Sequence, residues 1–206
     1  MGMQPSRVEI RIVAGTLRGR KIATVVHDEL RPTPQRVRES LFSILGNAIP
    51  GRIFFDLFAG TGVHGLESIS RGGAEAVFVE ADAKLVTAID TQIKRFDLQR
   101  VATVYRADVY RWAERWIPPT GPVNLFLSPP FGDLTERYDA FLALISTLAE
   151  KAPLESCLCI QAEDGFPTDK LPGENWDVRK YGRNVLAIWV KEEASTNTTD
   201  PETPIS

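Results

Sequence analysis

Apolar positions along the chain take two alternating forms. Short, near-continuous runs at 52–58 (RIFFDLF), 76–80, 101–106, 123–127 and 156–162 have the length of buried strands. Between them, segments near 63–71, 83–96, 109–116 and 134–150 carry apolar residues at helical spacing. Strands apolar on both faces and separated by helices predict a parallel sheet covered on both sides, an α/β doubly wound architecture. The alternation fails at both ends. Segments 176–181 and 185–191 are joined only by Gly182-Arg183-Asn184, so an antiparallel pair is expected to close the sheet.

At the other end, 7–26 reads as a β-hairpin with Gly15 and Gly19 at the reversal. Thr33 is the expected N-cap, and Pro34 the first position, of a helix over about 34–46. Spacing puts Val37, Leu41, Ile44 and Leu45 on its inner face, leaving Gln35, Arg36, Arg38 and Glu39 for solvent or a ligand. Residues 193–206 are polar, rich in Thr and Pro and without period, which predicts a disordered tail. The chain thus divides into a basic hairpin and helix (1–48), an α/β domain (49–192) and the tail (193–206).

Composition changes this picture in three ways. The chain has 206 residues, enough for one domain with a small appendage, and no apolar run of membrane-spanning length or secretory signal, so a cytoplasmic address is expected. Cys157 and Cys159 lie in one apolar run and are expected to be reduced packing residues, while His27 and His64 are far apart and no metal-ligand spacing occurs. A metal-free monomer is expected. The net charge is −3, yet residues 1–38 hold eight basic against three acidic side chains. A basic segment on an acidic chain points to a polyanionic partner, with Arg18, Arg20, Lys21, Arg36 and Arg38 as candidate contacts.

Ligands of open parallel sheets bind beyond the carboxyl ends of the strands, and the chemistry-bearing residues gather there. After the first strand come Asp56, Phe58, Gly60, Thr61, Gly62 and Gly65, spelling G-x-G-x-x-G; glycines allow a sharp turn and close backbone approach. Glu80 and Ala81 end the next strand, where a carboxylate suits ribose hydroxyls. Asp108 could accept from an adenine amino group or cap the helix after it. His64 is expected at the surface of a helix start. These residues fit either a nicotinamide dinucleotide or S-adenosylmethionine. Ser128-Pro129-Pro130-Phe131 favours the second: the prolines end the strand and fix carbonyls that can accept from an amino group, and Phe131 offers a stacking face for a base.

DLFAGTG together with Pro-Pro-Phe resembles methyltransferases of exocyclic amino groups. RIVAGTLRGRKI, LRPTPQRVRESLFSIL and DLFAGTGVHGLESISRG, with the rest of residues 7–191, resemble the bacterial small-subunit ribosomal RNA methyltransferase D family. The resemblance implies S-adenosylmethionine as cofactor, guanine N2 of 16S rRNA as acceptor, and a seven-stranded sheet with an antiparallel last strand. It implies in-line displacement, in which the base nitrogen attacks a sulfonium methyl and becomes transiently cationic. The family's fourth motif begins with Asp where this chain has Ser128, a neutral and shorter acceptor. Asp133 is one residue able to substitute. Adenine- or DNA-directed methyl transfer, or a non-catalytic RNA-binding homologue, are the competing readings.

Overall fold

The structure, a computed structural model, describes residues 6–26 and 33–193; of the tail expected over 193–206, residues 194–206 lie outside it. Strands β1 (Ser6–Arg11) and β2 (Lys21–Val26) pair antiparallel as the expected hairpin. The α/β alternation follows: α1 (Gln35–Leu45), β3 (Ile53–Leu57), α2 (Val63–Ser70), β4 (Glu75–Glu80), α3 (Ala83–Arg95), β5 (Ala102–Arg106), α4 (Val109–Arg115) and β6 (Val123–Leu127). After it come α5 (Phe131–Thr135), α6 (Tyr138–Lys151), β7 (Cys157–Glu163), β8 (Asp177–Tyr181) and β9 (Asn184–Val190).

The seven strands β3–β9 form one sheet in the order β5-β4-β3-β6-β7-β9-β8, parallel from β5 to β7. β9 runs antiparallel to both β7 and β8. This is the fold class expected from the sequence. Chain direction across the sheet reverses between β3 and β6, so the crevice beyond their carboxyl ends is the switch point where doubly wound sheets bind ligands.

Alternation along the strands fills both faces. Phe55, Leu57, Val77, Val79, Leu125 and Leu127 join one buried cluster with Ala113 of α4 and Leu144 of α6. Their neighbours point the other way: Ala76 and Phe78 pack under Leu66 of α2 and Ile89 of α3, while Phe54 and Phe126 stack in series with Phe42 of α1. Cys157 and Cys159 lie beside this aromatic row as free buried thiols, and burial pushes both pKa values up.

Two local expectations change. The Thr33 hydroxyl donates to Gln161 Oε1 (2.9 Å) rather than capping α1, which starts at Gln35 without a side-chain cap. The helix expected at 134–150 is two helices, because Pro130 starts α5 directly after the strand and a second start follows at Tyr138.

Candidate active site

The loop leaving β3 turns through three residues of positive φ, Phe58 (60°), Gly60 (54°) and Gly62 (71°). Glu80 at the end of β4 fixes it. Oε2 accepts from the Gly60 N–H (2.8 Å) and Oε1 from the Asp82 N–H (2.9 Å), so one carboxylate ties two strand-end loops. Each oxygen keeps a further lone pair, and Glu80 is half-buried, so it can still accept from a bound ligand. Ala81 is exposed beside it, and Thr61 is buried within the loop. The third glycine serves packing: a Cβ on Gly65 would stand 2.3 Å from the Phe78 ring.

Asp56 lies beneath this loop, fully enclosed. Oδ2 accepts from the Gly65 N–H (3.0 Å), while Oδ1 has no partner among the described residues. Burial pushes its pKa up to about 8, opposed by the Gly65 bond and reinforced by the Glu80 charge. Asp108 is exposed at the end of β5 and caps α4 through the Arg111 N–H (3.0 Å), so the helix-cap reading holds, with Oδ2 left over.

Beyond β6, Ser128 is half-buried and its N–H points at the Leu57 carbonyl (3.4 Å), which sets it beside the glycine loop. Pro129 is buried and Pro130 exposed. The Pro130 carbonyl accepts from the Asp133 N–H (3.0 Å) in the first turn of α5. Phe131 is 63% exposed, so its ring is open to solvent beside the crevice.

A contact set that the sequence reading missed closes this crevice on one side. The Tyr110 hydroxyl of α4 donates to Asp133 Oδ2 (2.7 Å), and Arg137 lies over the Tyr110 ring (4.1 Å) with Nη1 3.8 Å from Asp133 Oδ1. Tyr110 also meets the Phe58 ring edge-on at 5.8 Å. Burial raises the Tyr110 pKa, and the Asp133 bond and charge add to it. The available signal was position: Tyr110 follows Asp108 by two residues, and Asp133 follows the Pro-Pro-Phe motif by two.

Two residues sit where the sequence did not put them. Arg38, expected at an RNA surface, is 1% exposed: Nη2 donates to the Arg11 carbonyl (2.7 Å) and Nε lies 3.8 Å from Glu67. It cannot present itself to RNA in this fold. Its spacing to Leu41, Phe42 and Leu45 puts it on the buried stripe of α1, because Glu67 on α2 supplies an internal counter-charge. Burial lowers its pKa against the pull of Glu67. His64 is likewise interior, its ring 4.1 Å from that of Phe126, and burial and then Arg38 push its pKa down to about 3.

The exposed basic residues fall at two ends. Arg36 lies on the first turn of α1, near the carboxyl end of β7 that Thr33 touches. Arg18, Arg20 and Lys21 lie at the hairpin turn, which meets Ser70 at the far end of α2 and Arg95 at the far end of α3. The eight residues of α2 separate that turn from the glycine loop by about 12 Å at 1.5 Å per residue. Lys21 is also paired with Glu9 (2.6 Å).

A family model described as "Conserved hypothetical protein 95" matches residues 10–190. The putative rRNA methyltransferase YlbH of Bacillus subtilis is 35% identical over 161 residues, 76% of this chain and 79% of that protein. Ribosomal RNA small subunit methyltransferase D of Escherichia coli K12 is 32% identical over 175 residues, 84% of this chain and 83% of that protein. Among solved structures, the putative methyltransferase yhhF from Escherichia coli superposes with a TM-score of 0.72 at 28% identity, covering 90% of this chain and 99% of its own. This chain belongs to the conserved hypothetical protein 95 family, that of the small-subunit ribosomal RNA methyltransferase D proteins.

Proposed function

We propose that the protein transfers a methyl group from S-adenosylmethionine to the exocyclic N2 of a guanine in small-subunit ribosomal RNA. The observation that carries this is the meeting, at the switch point of one sheet, of a glycine loop clasped by Glu80 and a Ser-Pro-Pro-Phe segment with its ring exposed. The names of the curated relatives, rRNA methyltransferases, support it.

The residues present fit the cofactor. Glu80 has acceptor capacity for two ribose hydroxyls, Asp108 keeps an oxygen for an amino group, and Asp56 Oδ1 lacks a donor. Gly60 and Gly62 let the loop turn through positive φ, and a Cβ on Gly62 would press on Ile89 and Phe78. When bound, the cofactor supplies an electrophilic methyl on a sulfonium. The chain's own part is positioning and charge. Phe131 holds the base by stacking, the Pro129 carbonyl accepts one amino hydrogen, and the Ser128 hydroxyl accepts the other. Aimed this way, the nitrogen lone pair would be presented to the methyl and two oxygens to the positive charge growing on nitrogen. The surplus amino proton would pass to solvent, with S-adenosylhomocysteine leaving as the thioether. Both acceptors are neutral, so transition-state stabilisation is weaker than a carboxylate at position 128 would give. Arg36 guides RNA at the crevice, and Arg18, Arg20 and Lys21 hold phosphates at the remote end.

Ser128 also favours a second reading, an RNA-binding homologue without turnover. Transfer of tritiated methyl from the cofactor to unmodified small-subunit particles, free rRNA and DNA separates the two. Label in the ribosomal substrates supports the proposal. RNA binding without label in any substrate supports the second reading, and label in DNA alone overturns both.

A further inference from the structure

Three strand-end loops that carry different halves of the reaction are joined by Tyr110 and Asp133. Phe58 belongs to the glycine loop, whose Gly60 N–H is held by Glu80. It keeps a positive φ of 60°, which a non-glycine residue adopts only when its surroundings hold it there. Its ring packs on the core and meets Tyr110, two residues past Asp108 in the first turn of α4. Tyr110 in turn donates to Asp133, whose own N–H bonds to the Pro130 carbonyl in the segment that aims the base. A series of links therefore runs from Glu80 to Gly60, along the loop backbone to Phe58, and on through Tyr110 and Asp133 to Pro130. Arg137 braces its midpoint from outside, stacked on Tyr110 and close to Asp133.

The ring meets Phe58, and the part-buried hydroxyl, which needs an acceptor, finds it in a half-buried carboxylate on a separate short helix. α5 has five residues, no buried side chain and no side-chain cap. It is tied down by the Asp133 bond and by Leu134, which packs against the core. A ligand that orders the glycine loop and the loop after β5 therefore orders α5 and Phe131 too, and the second ligand meets a site already set.

Resting on the methyltransferase reading, we propose that Tyr110 and Asp133 are positioning residues that couple cofactor binding to RNA binding. Coupling of this kind is reciprocal: each ligand tightens the other by the same factor. S-adenosylhomocysteine should tighten binding of the unmodified ribosomal RNA by roughly tenfold in the wild type, within the usual range for such coupling.

The test measures RNA affinity with and without saturating S-adenosylhomocysteine, and S-adenosylhomocysteine affinity alone, for wild type, Tyr110→Phe, Asp133→Asn and the double variant. The expected result is loss of the tenfold effect in all three variants, to the same extent, with S-adenosylhomocysteine affinity in the absence of RNA changed less than about threefold. Phenylalanine keeps the ring on Phe58 and asparagine keeps the size at 133, so thermal melting within a few degrees of wild type confirms that the fold is intact. A wild type that binds both ligands without mutual effect overturns the inference and leaves the methyltransferase reading standing. So do single variants that keep the full tenfold effect. Failure of the wild type to bind S-adenosylhomocysteine or RNA is a failure of the methyltransferase reading itself.

Discussion

The two ends of α2 treat charge in opposite ways. At its start, the carboxylate of Glu80 is half-buried, shared between two backbone N–H groups and open to a further partner. About one turn into the helix, the carboxylate of Glu67 is 0% exposed and engaged from several sides. It accepts from the Val13 and Ala14 N–H groups (2.9 and 3.1 Å) and from Arg71 Nε (2.9 Å), with Arg38 3.8 Å away. Ser70 then closes the joint, donating to the Ala14 carbonyl and accepting from the Leu17 N–H. Gly15 is obligatory there: a Cβ would fall 1.6 Å from the Ser70 carbonyl oxygen. One end keeps acceptors spare for a ligand. The other spends its acceptors on joining the basic hairpin to the α/β sheet domain.

That contrast predicts a ranking of substitutions. Glu67→Ala leaves the buried Arg38 without its counter-charge and two N–H groups without an acceptor. It should cost about 3–5 kcal/mol in urea unfolding. Replacing Arg38 by Met as well should recover part of the loss. A cost below about 1 kcal/mol for the single change would mean that the joint is ornamental.

Ser128→Asp acts at the open end and on rate. A preorganised partner of developing charge is worth roughly 10²–10³ in turnover, so single-turnover methyl transfer should rise towards that range with cofactor affinity unchanged. A fall in rate with the fold intact would show that the hydroxyl is matched to its neighbours. Glu80→Ala should weaken S-adenosylhomocysteine by about 1–3 kcal/mol in calorimetry, the range for a lost charge-assisted bond, with far less effect on folding than the change at Glu67.

Reversing Arg18, Arg20 and Lys21 to Glu should weaken RNA binding and make its salt dependence shallower by about 2 in log–log slope, three contacts at about 0.7 each. Cofactor affinity, about 12 Å away along α2, should not move. Unchanged RNA affinity at moderate salt would assign that end to solvent.

The buried end of the crevice is tested by the pH dependence of Asp56. Its folded pKa of about 8 lies above its ordinary 3.8, so its contribution is full below 3.8 and is lost as pH rises through 8. His64 works in the opposite sense and lower: its contribution is full above 6.5 and lost as pH falls towards 3. Between 6.5 and 8 only Asp56 of this pair titrates, so stability should decline there and Asp56→Asn should remove that decline. Parallel profiles for the two proteins would refute the raised value.

The same contrast marks what the sequence could reveal. Strand-end groups were legible because the sheet topology follows from alternation alone, and topology fixes which ends face the crevice. Glu80 and the glycine loop meet there as expected. Interior charge was not legible. Arg38 reads as a surface residue until Glu67, 29 positions later and on another helix, is known to face it. Phe42 was also missed on the inner face of α1, whereas Ile44, expected there, is only half-buried. Tyr110 and Asp133 were invisible as a pair for the same reason: their bond spans two loops that only the folded sheet brings together.

The central claim is the chemistry of the crevice, and one measurement addresses it directly. Unmodified small-subunit particles are incubated with the protein and isotopically labelled S-adenosylmethionine, and the rRNA is digested and separated into nucleosides by mass spectrometry. Label in N2-methylguanosine, lost on Glu80→Ala and raised on Ser128→Asp, is the predicted result. Label in any other nucleoside, or none while RNA is bound, would contradict it.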